Sequence, residues 1–411
     1  MPTDRPLSRE IVLFSTADWD HPFWTNKQPV ALHLAERGFR VLYVESLGLR
    51  RPTAGSRDLK RIVGRVARAA RGPRRVRDNV WVVSPLAIPW HASRVARRVN
   101  DWLLERWLAR QCRRLDFGSP IVWTYNPLVG SLASRLGASL LVYHCVDDLS
   151  AAPHMPQLAI HEAERDLVRA ADVVFTTSSA LDARCRDWNP AATQFLPTVA
   201  DYDHFSQARE PGPIPDDLAS IPRPRVGFVG ALSTYKVDFE LIAAIARSRP
   251  EWHWVLIGQV GEGQPETTIE VLRLPNIHLL GPRDYARLPA YLRGFDVATI
   301  PARANPYTAA MFPMKFFEYL AAGLAVVACH VPAIVPFSGA CELVDSQSQF
   351  MSAIERILAG QRPDREHCLQ LARQYTWQWR MDEMLAVLEK TWQARHASEI
   401  APAAVARSRA G

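Results

Sequence analysis

The sequence predicts an α/β protein with two doubly wound parallel sheets, on three observations. Short apolar runs alternate with longer helical stretches along most of the chain. A proline-rich run at residues 206–224 interrupts this alternation, which then restarts. At 411 residues the chain also exceeds what one ordinary core accommodates.

The elements follow in order. Residues 11–15 read as a short apolar strand, 29–38 as a helix ending in Gly38, and 40–45 as the next strand. The runs at 80–84, 121–124, 140–145 and 173–176 read as further buried strands, with helices at 92–114 and 161–170 between them. Such runs are apolar throughout, as in strands covered on both faces. Pro211, Pro213, Pro215, Pro222 and Pro224 make 206–224 the best domain linker. Beyond it come strands at 226–229, 254–257, 277–280, 297–300 and 325–328, with a helix at 239–248. The expected organisation is a Rossmann-like domain over 1–205, a second over 225–364, terminal helices at 365–374 and 379–396, and an unstructured tail at 397–411. No repeat of 20–50 residues is present.

Composition narrows the class. A hydrophobic content of 48% is ample for burial and excludes a disordered chain. No apolar run reaches the ~18–20 residues that span a bilayer, and no signal peptide is visible. The six cysteines show no C-x-x-C spacing, so neither zinc nor a disulfide framework is expected, and a reducing cytoplasm fits best. The net charge of +7 is concentrated locally: residues 50–77 hold eleven Lys/Arg against one acid, Asp58. Within this segment Leu59, Ile62, Val63, Val66 and Ala70 fall on one helical face. A basic amphipathic helix reads as binding an anionic membrane surface, with Trp90, Trp102 and Trp107 extending it. Its rivals are a solvated loop and nucleic acid, and no nucleic-acid motif accompanies the charge.

The richest stretch is 305–327, NPYTAAMFPMKFFEYLAAGLAVV. It follows an apolar strand, supplies small residues and backbone at 308–311, then opens a helix carrying Lys315 and Glu318. A strand, turn and helix start place backbone N–H groups where phosphate binds at the carboxyl edge of a parallel sheet. Lys315 and Glu318 suit a ligand with a diphosphate and a ribose diol. The plain alternative is a surface i, i+3 ion pair.

PMKFFEYLAAGLAVV closely resembles the P-x-K-x-x-E-Y-L-A-A-G-x-x-V-V signature of bacterial GT-B glycosyltransferases near family 4 and the teichuronic-acid type. The resemblance implies the GT-B architecture: two Rossmann-like domains, an active-site cleft between them, and C-terminal helices that cross back to the first domain. It implies that Glu318 binds the donor ribose while Lys315 and the turn with Thr308, Met311 and Phe312 hold the diphosphate. One departure stands out: a second glutamate common in family 4 is here Ala310, so sugar recognition differs. VGFVGALSTYKVDFELI resembles the family's strand–glycine–helix unit, which places Gly230 beside the diphosphate and Lys236 near the donor-binding lysine. NIHLLGPRDYARLPAYLRGFDVATIP resembles the run leading into the donor site, where Arg283 faces base or phosphate.

In the first half, SLLVYHCVDDLSAAP ends a strand with two carboxylates at its carboxyl edge. Family-4 enzymes often place a histidine and an aspartate there, and Asp147 takes the histidine's place. The run also resembles xanthan-type glucuronosyltransferases, which have an aspartate base at that position. Asp147 is therefore expected either to take the acceptor's proton or, like Asp148, to cap the next helix; His144 is expected to be structural. The loop after the first strand carries Trp19, Phe23 and Trp24, which either stack on sugar rings or fill core. Asp20, His21, Asn26 and Lys27 supply polar partners, and the Asp18–Asp20 pair is not read as a metal site.

These readings predict a cytoplasmic glycosyltransferase, peripheral at the inner face of the plasma membrane. It would use a UDP- or GDP-linked nucleotide-sugar donor as co-substrate, with no cofactor and no metal. The acceptor would be a lipid-linked saccharide in surface polysaccharide assembly. The alternatives are a non-catalytic GT-B scaffold and a nucleotide-sugar epimerase; a dehydrogenase is poorer, since no G-x-G-x-x-G follows strand one. Stereochemistry stays open.

Overall fold

Two parallel-dominated sheets form the frame of the computed structural model, which describes residues 6–21, 24–47, 72–85 and 94–408. The amphipathic segment 58–70, Phe23 and Trp90 lie outside the described residues.

The first sheet has eight strands: β1 (Glu10–Phe14), β2 (Arg40–Val44), β3 (Arg74–Arg77), β4 (Val80–Val83), β5 (Ile121–Thr124), β6 (Leu140–Cys145), β7 (Val173–Thr176) and β8 (Thr193–Phe195). Their order is β3-β4-β2-β1-β5-β6-β7-β8, parallel except where β3 meets β4. The second sheet has six: β9 (Arg225–Val229), β10 (His253–Ile257), β11 (Ile277–Gly281), β12 (Val297–Ile300), β13 (Val326–Cys329) and β14 (Glu342–Val344). Its order is β11-β10-β9-β12-β13-β14, with every strand pair parallel. The first strand of each sheet sits centrally, and later strands lie on both sides of it. A doubly wound sheet opens its ligand crevice where that order reverses, at the carboxyl ends of β1 and β5 and of β9 and β12.

The central strands are buried along nearly their whole length, which matches their unbroken apolar sequence. At the second crevice the strands visibly part. Pairing of β9 with β12 covers Val226 and Gly227 only. Beyond it the Val229 N–H donates to the Tyr319 hydroxyl at 2.8 Å. Tyr319 lies in the helix Lys315–Ala321, which Gly323 ends with a left-handed φ of +74°.

Most expected elements match the observed ones within two residues, and the helices Phe239–Ser248 and Arg365–Gln374 match at both ends. The linker run is less free than its prolines suggest. It contains the short helix Asp216–Ala219, and Ala208, Leu218 and Ile221 join the second domain's core. The expected tail is corrected: the last helix spans Trp377–Ser408. That helix crosses back onto the first domain, where Trp377, Met381, Met384 and Leu388 enter the core, while Arg37 pairs with Asp382 at 2.8 Å and Arg395 with Asp172 at 2.9 Å.

Tyr319→Phe would leave the Val229 N–H buried without a partner, a cost of about 1–3 kcal/mol. A lower denaturation midpoint with an unchanged slope is the expected outcome.

Candidate active site

The loops after β9 and β12 are tied together at the second crevice. Asp238 N–H donates to Pro301 O at 2.8 Å, and Arg303 N–H to Lys236 O at 3.0 Å. Lys236 is half-buried, with Nζ 5.4 Å from the Tyr235 ring and 5.7 Å from the Tyr307 ring. Gly230 sits at the turn, and a Cβ there would meet the Phe228 ring at 2.8 Å. Tyr307 and Thr308 belong to the one-turn helix Pro306–Ala310, closed by a capping box between Asn305 and Thr308. The Thr308 hydroxyl is thereby engaged within its own turn. Met311 is half-buried against the core, and Phe312 is buried among Phe316, Phe317 and Phe337.

Lys315 and Glu318 do pair, at 2.5 Å, but not on the surface: the Glu318 side chain is only 4% exposed. Burial pushes its carboxyl above the usual glutamate range, opposed by the Lys315 ammonium. A desolvated carboxylate with a single cation beside it is the kind of group functional sites retain. Residues that the sequence reading missed complete its surroundings. His204 and Asp201, at the start of the linker side, act on Glu318 electrostatically, and Lys315 Nζ lies 5.8 Å from the Phe205 ring. Tyr285 stacks on His204 at 4.3 Å. Arg283 is placed elsewhere: it donates to Asp217 at 2.6 Å and to the Tyr291 hydroxyl at 2.7 Å.

On the first domain, the two adjacent aspartates diverge. Asp148 caps the turn Leu149–Ala151, accepts from the Ser150 hydroxyl and pairs with Arg184 at 2.7 Å. Burial opposes its ionisation, but these donors outweigh it and its carboxyl stays below the ordinary range. Asp147 faces the other way, toward the second domain. Its Oδ1 accepts from the Tyr307 hydroxyl at 3.0 Å, and its Oδ2 lies 3.7 Å from Lys27 Nζ. Lys27, the first residue of the helix Lys27–Glu36, is buried, and that burial pulls its ammonium below the usual lysine range against the attraction of Asp147. Lys236 is shifted upward: the net pull of Tyr235, Glu262 and Asp147 exceeds the penalty of burial. Asp147 thus stands between cations from both domains.

His144 is structural. It is fully buried, its pKa is driven well below the ordinary value by burial and by Arg380, and its Nε2 accepts from Arg380 at 2.8 Å. The aromatic loop splits. Trp19 is corrected to core: it is 5% exposed, packs edge-on against Tyr43 at 5.1 Å, and its backbone N–H donates to Glu45 Oε1. Trp24 remains exposed at 37%, while Asp20 pairs with Arg74 on the edge strand β3. His21 donates its N–H to Asp18 O at 3.3 Å. Among the described residues no group of His, Cys, Asp and Glu is arranged to hold a metal ion.

Residues 223–360 match the family described as Glycosyl transferases group 1. The putative teichuronic acid biosynthesis glycosyltransferase TuaH of Bacillus subtilis (strain 168) is 29% identical over 275 residues, covering 62% of this chain and 68% of the relative. The fold is GT-B, and residues 223–360 carry the glycosyltransferase group 1 match. Among solved structures, sucrose-phosphate synthase from Thermosynechococcus elongatus superposes with a TM-score of 0.69 at 17% identity, covering 94% of this chain and 99% of that one. Anabaena HepE in complex with UDP and glucose gives 0.65 at 16% identity, covering 92% and 98%. At such identities the superpositions establish the fold alone. In this chain Ala310, where the family-4 glutamate would stand, is packed into the first domain's core, and its carbonyl accepts from the Ser178 hydroxyl at 2.6 Å.

If Glu318 receives ribose hydroxyls, Glu318→Ala lowers UDP affinity by about 2–4 kcal/mol in a folded protein. Only the ionised carboxylate accepts both hydroxyls. Since the pKa of Glu318 is raised, UDP affinity in the wild type falls on mild acidification, at a higher pH than an ordinary glutamate would give. Lys315→Met removes the opposing cation and moves that loss to still higher pH. Calorimetric titration of UDP across pH checks both outcomes.

Proposed function

We propose that this glycosyltransferase moves a sugar from a nucleotide-sugar donor, UDP- or GDP-linked, to a lipid-linked saccharide in surface polysaccharide assembly. It would work in the cytoplasm, at the inner face of the plasma membrane. The observation that carries the reading is the position of Asp147. It meets Tyr307 and the field of Lys236 across the cleft, opposite the domain that holds Lys315 and Glu318. The Bacillus relative is named for teichuronic acid biosynthesis, and the Anabaena neighbour holds UDP and glucose, which favours UDP as the donor nucleotide.

In the proposed reaction Asp147 takes the proton of the acceptor hydroxyl while the acceptor's oxygen bonds to the anomeric carbon. The bond from that carbon to the diphosphate breaks, and the nucleoside diphosphate leaves with the electron pair. Lys236 and Lys315 offset the charge that gathers on the leaving group. A direct displacement of this kind inverts the anomeric centre. An epimerase on the same frame would convert its nucleotide sugar without an acceptor, so dependence of turnover on acceptor separates the two readings.

The membrane side of the proposal is supported by the helix Arg94–Arg114. Leu104 and Leu108 face the core, whereas Val99, Trp102 and Leu103 are exposed, with the Arg106 guanidinium 5.2 Å from the Trp102 ring. An exposed tryptophan and leucine beside arginines suit the headgroup region of an anionic bilayer. Co-sedimentation should require acidic lipid, weaken as salt rises, and weaken in Trp102→Glu. Equal binding to neutral vesicles would refute this part.

Asp147→Asn keeps the shape of the side chain and removes the proton acceptor. Transfer should fall by roughly 10²–10⁴-fold with UDP binding nearly intact. Asp148→Asn should cost chiefly stability, because Asp148 caps a turn and pairs with Arg184. Near-normal turnover in Asp147→Asn would remove Asp147 from the mechanism.

A further inference from the structure

Tyr307 occupies a singular place at the domain junction. It belongs to the second domain, in the turn that follows β12, and its hydroxyl donates to Asp147 Oδ1 of the first domain at 3.0 Å. Its ring meets Tyr235 edge-on at 5.1 Å, and Lys236 Nζ lies within 5.7 Å of it, inside cation–π range. The same side chain therefore touches the proposed proton acceptor through its hydroxyl and the donor-side cation through its ring. It is 7% exposed, so water competes poorly for that hydrogen bond.

We infer that Tyr307 is a positioning residue: it fixes the Asp147 carboxylate at the junction of the two domains and makes that placement depend on the donor half being docked. This rests on the proposed role of Asp147. The two carboxylate oxygens have unequal partners. Oδ1 is held by a directed hydrogen bond, whereas Oδ2 is 3.7 Å from Lys27, an electrostatic contact without hydrogen-bond geometry. A carboxylate anchored by one oxygen presents the other in a fixed direction, which is what proton transfer from an acceptor hydroxyl requires. Burial together with the nearby Asp147 raises the Tyr307 phenol well above its ordinary pKa, so it remains a donor through neutral pH. The charged and titratable groups around the pair are Lys27, Lys236, Tyr235 and Glu262. The dependence on docking follows from where Tyr307 sits. The adjoining Ala310 is packed in the first domain's core and bonded to Ser178, so this turn reaches Asp147 only when the domains meet.

Tyr307→Phe tests the inference, since it keeps the ring beside Lys236 and removes only the hydroxyl. UDP release would be followed with whichever of UDP-glucose, UDP-galactose and UDP-glucuronate best stabilises the protein, with octyl glucoside and water as acceptors, alongside calorimetric titration of UDP. The expected result is a fall in kcat of about ten- to a hundredfold with UDP affinity within about twofold of wild type. In an Asp147→Asn background, Tyr307→Phe should cause no further loss, because its effect runs through that carboxylate. Wild-type kcat in Tyr307→Phe, with Asp147→Asn inactive, overturns the inference and leaves the role of Asp147 standing. Equal losses of kcat and UDP affinity also overturn it, by making Tyr307 a donor contact. Full activity in Asp147→Asn overturns the role of Asp147 and the inference with it.

Discussion

The site depends on a guanidinium buried without a carboxylate. Arg380 comes from the returning C-terminal helix, is fully buried, and lies beneath the crevice of the first sheet. Among the described residues it forms no ion pair; it donates instead to Asn26 Oδ1 at 2.7 Å and His144 Nε2 at 2.8 Å. Burial lowers its pKa to about 10, which still leaves it charged at neutral pH. A buried cation is costly unless its hydrogen bonds are well made, so this packing tolerates few rearrangements. Its two partners flank the site: Asn26 precedes Lys27, and His144 lies on the strand that delivers Asp147. The helix that joins the domains thus also fixes the two residues from which the first half of the cleft is built.

Charge is concentrated at the junction. Lys27 and Lys236 both feel the fields of Asp147 and Glu262, and on Lys236 the pull of Glu262 exceeds that of Asp147. Two ammonium groups and two carboxylates therefore meet where the domains do. Burial makes this balance count, because neither lysine is screened as a surface residue would be. It also separates the two aspartates. Asp148 is consumed by Arg184 and its own turn, while Asp147 keeps one oxygen free of any directed bond.

What was legible in the sequence follows from the range of the interactions involved. Strands β5, β6, β7 and β12 and the helix Phe239–Ser248 could be read to the residue, because local apolar runs and caps define them. Strands β3, β8 and β14 could not: each is three or four residues long at or near a sheet edge, and Arg74–Arg77 carries no apolar pattern at all. In the site, Lys315 and Glu318 announced themselves by spacing, and the Asp147–Asp148 pair by its position at a strand's end. Sequence alone did not show that Glu318 is buried, or that Trp19 belongs to the core. Arg380, His204 and Tyr307 carry no local signal, since their partners lie 236 residues away for Arg380 and His144, 81 for His204 and Tyr285, and 160 for Tyr307 and Asp147.

Ala310 shows how one position can exchange a ligand contact for a structural one. Its methyl group sits in an apolar cluster with residues such as Val129, Leu167 and Leu181 of the first domain. A glutamate there would bring a carboxylate into that apolar cluster, at a desolvation cost. Alanine instead lets the Pro306–Ala310 turn lie against the first domain and accept the Ser178 hydrogen bond. The same approach carries Tyr307 to Asp147. Loss of an acidic side chain and gain of a close domain contact are therefore two aspects of one packing choice.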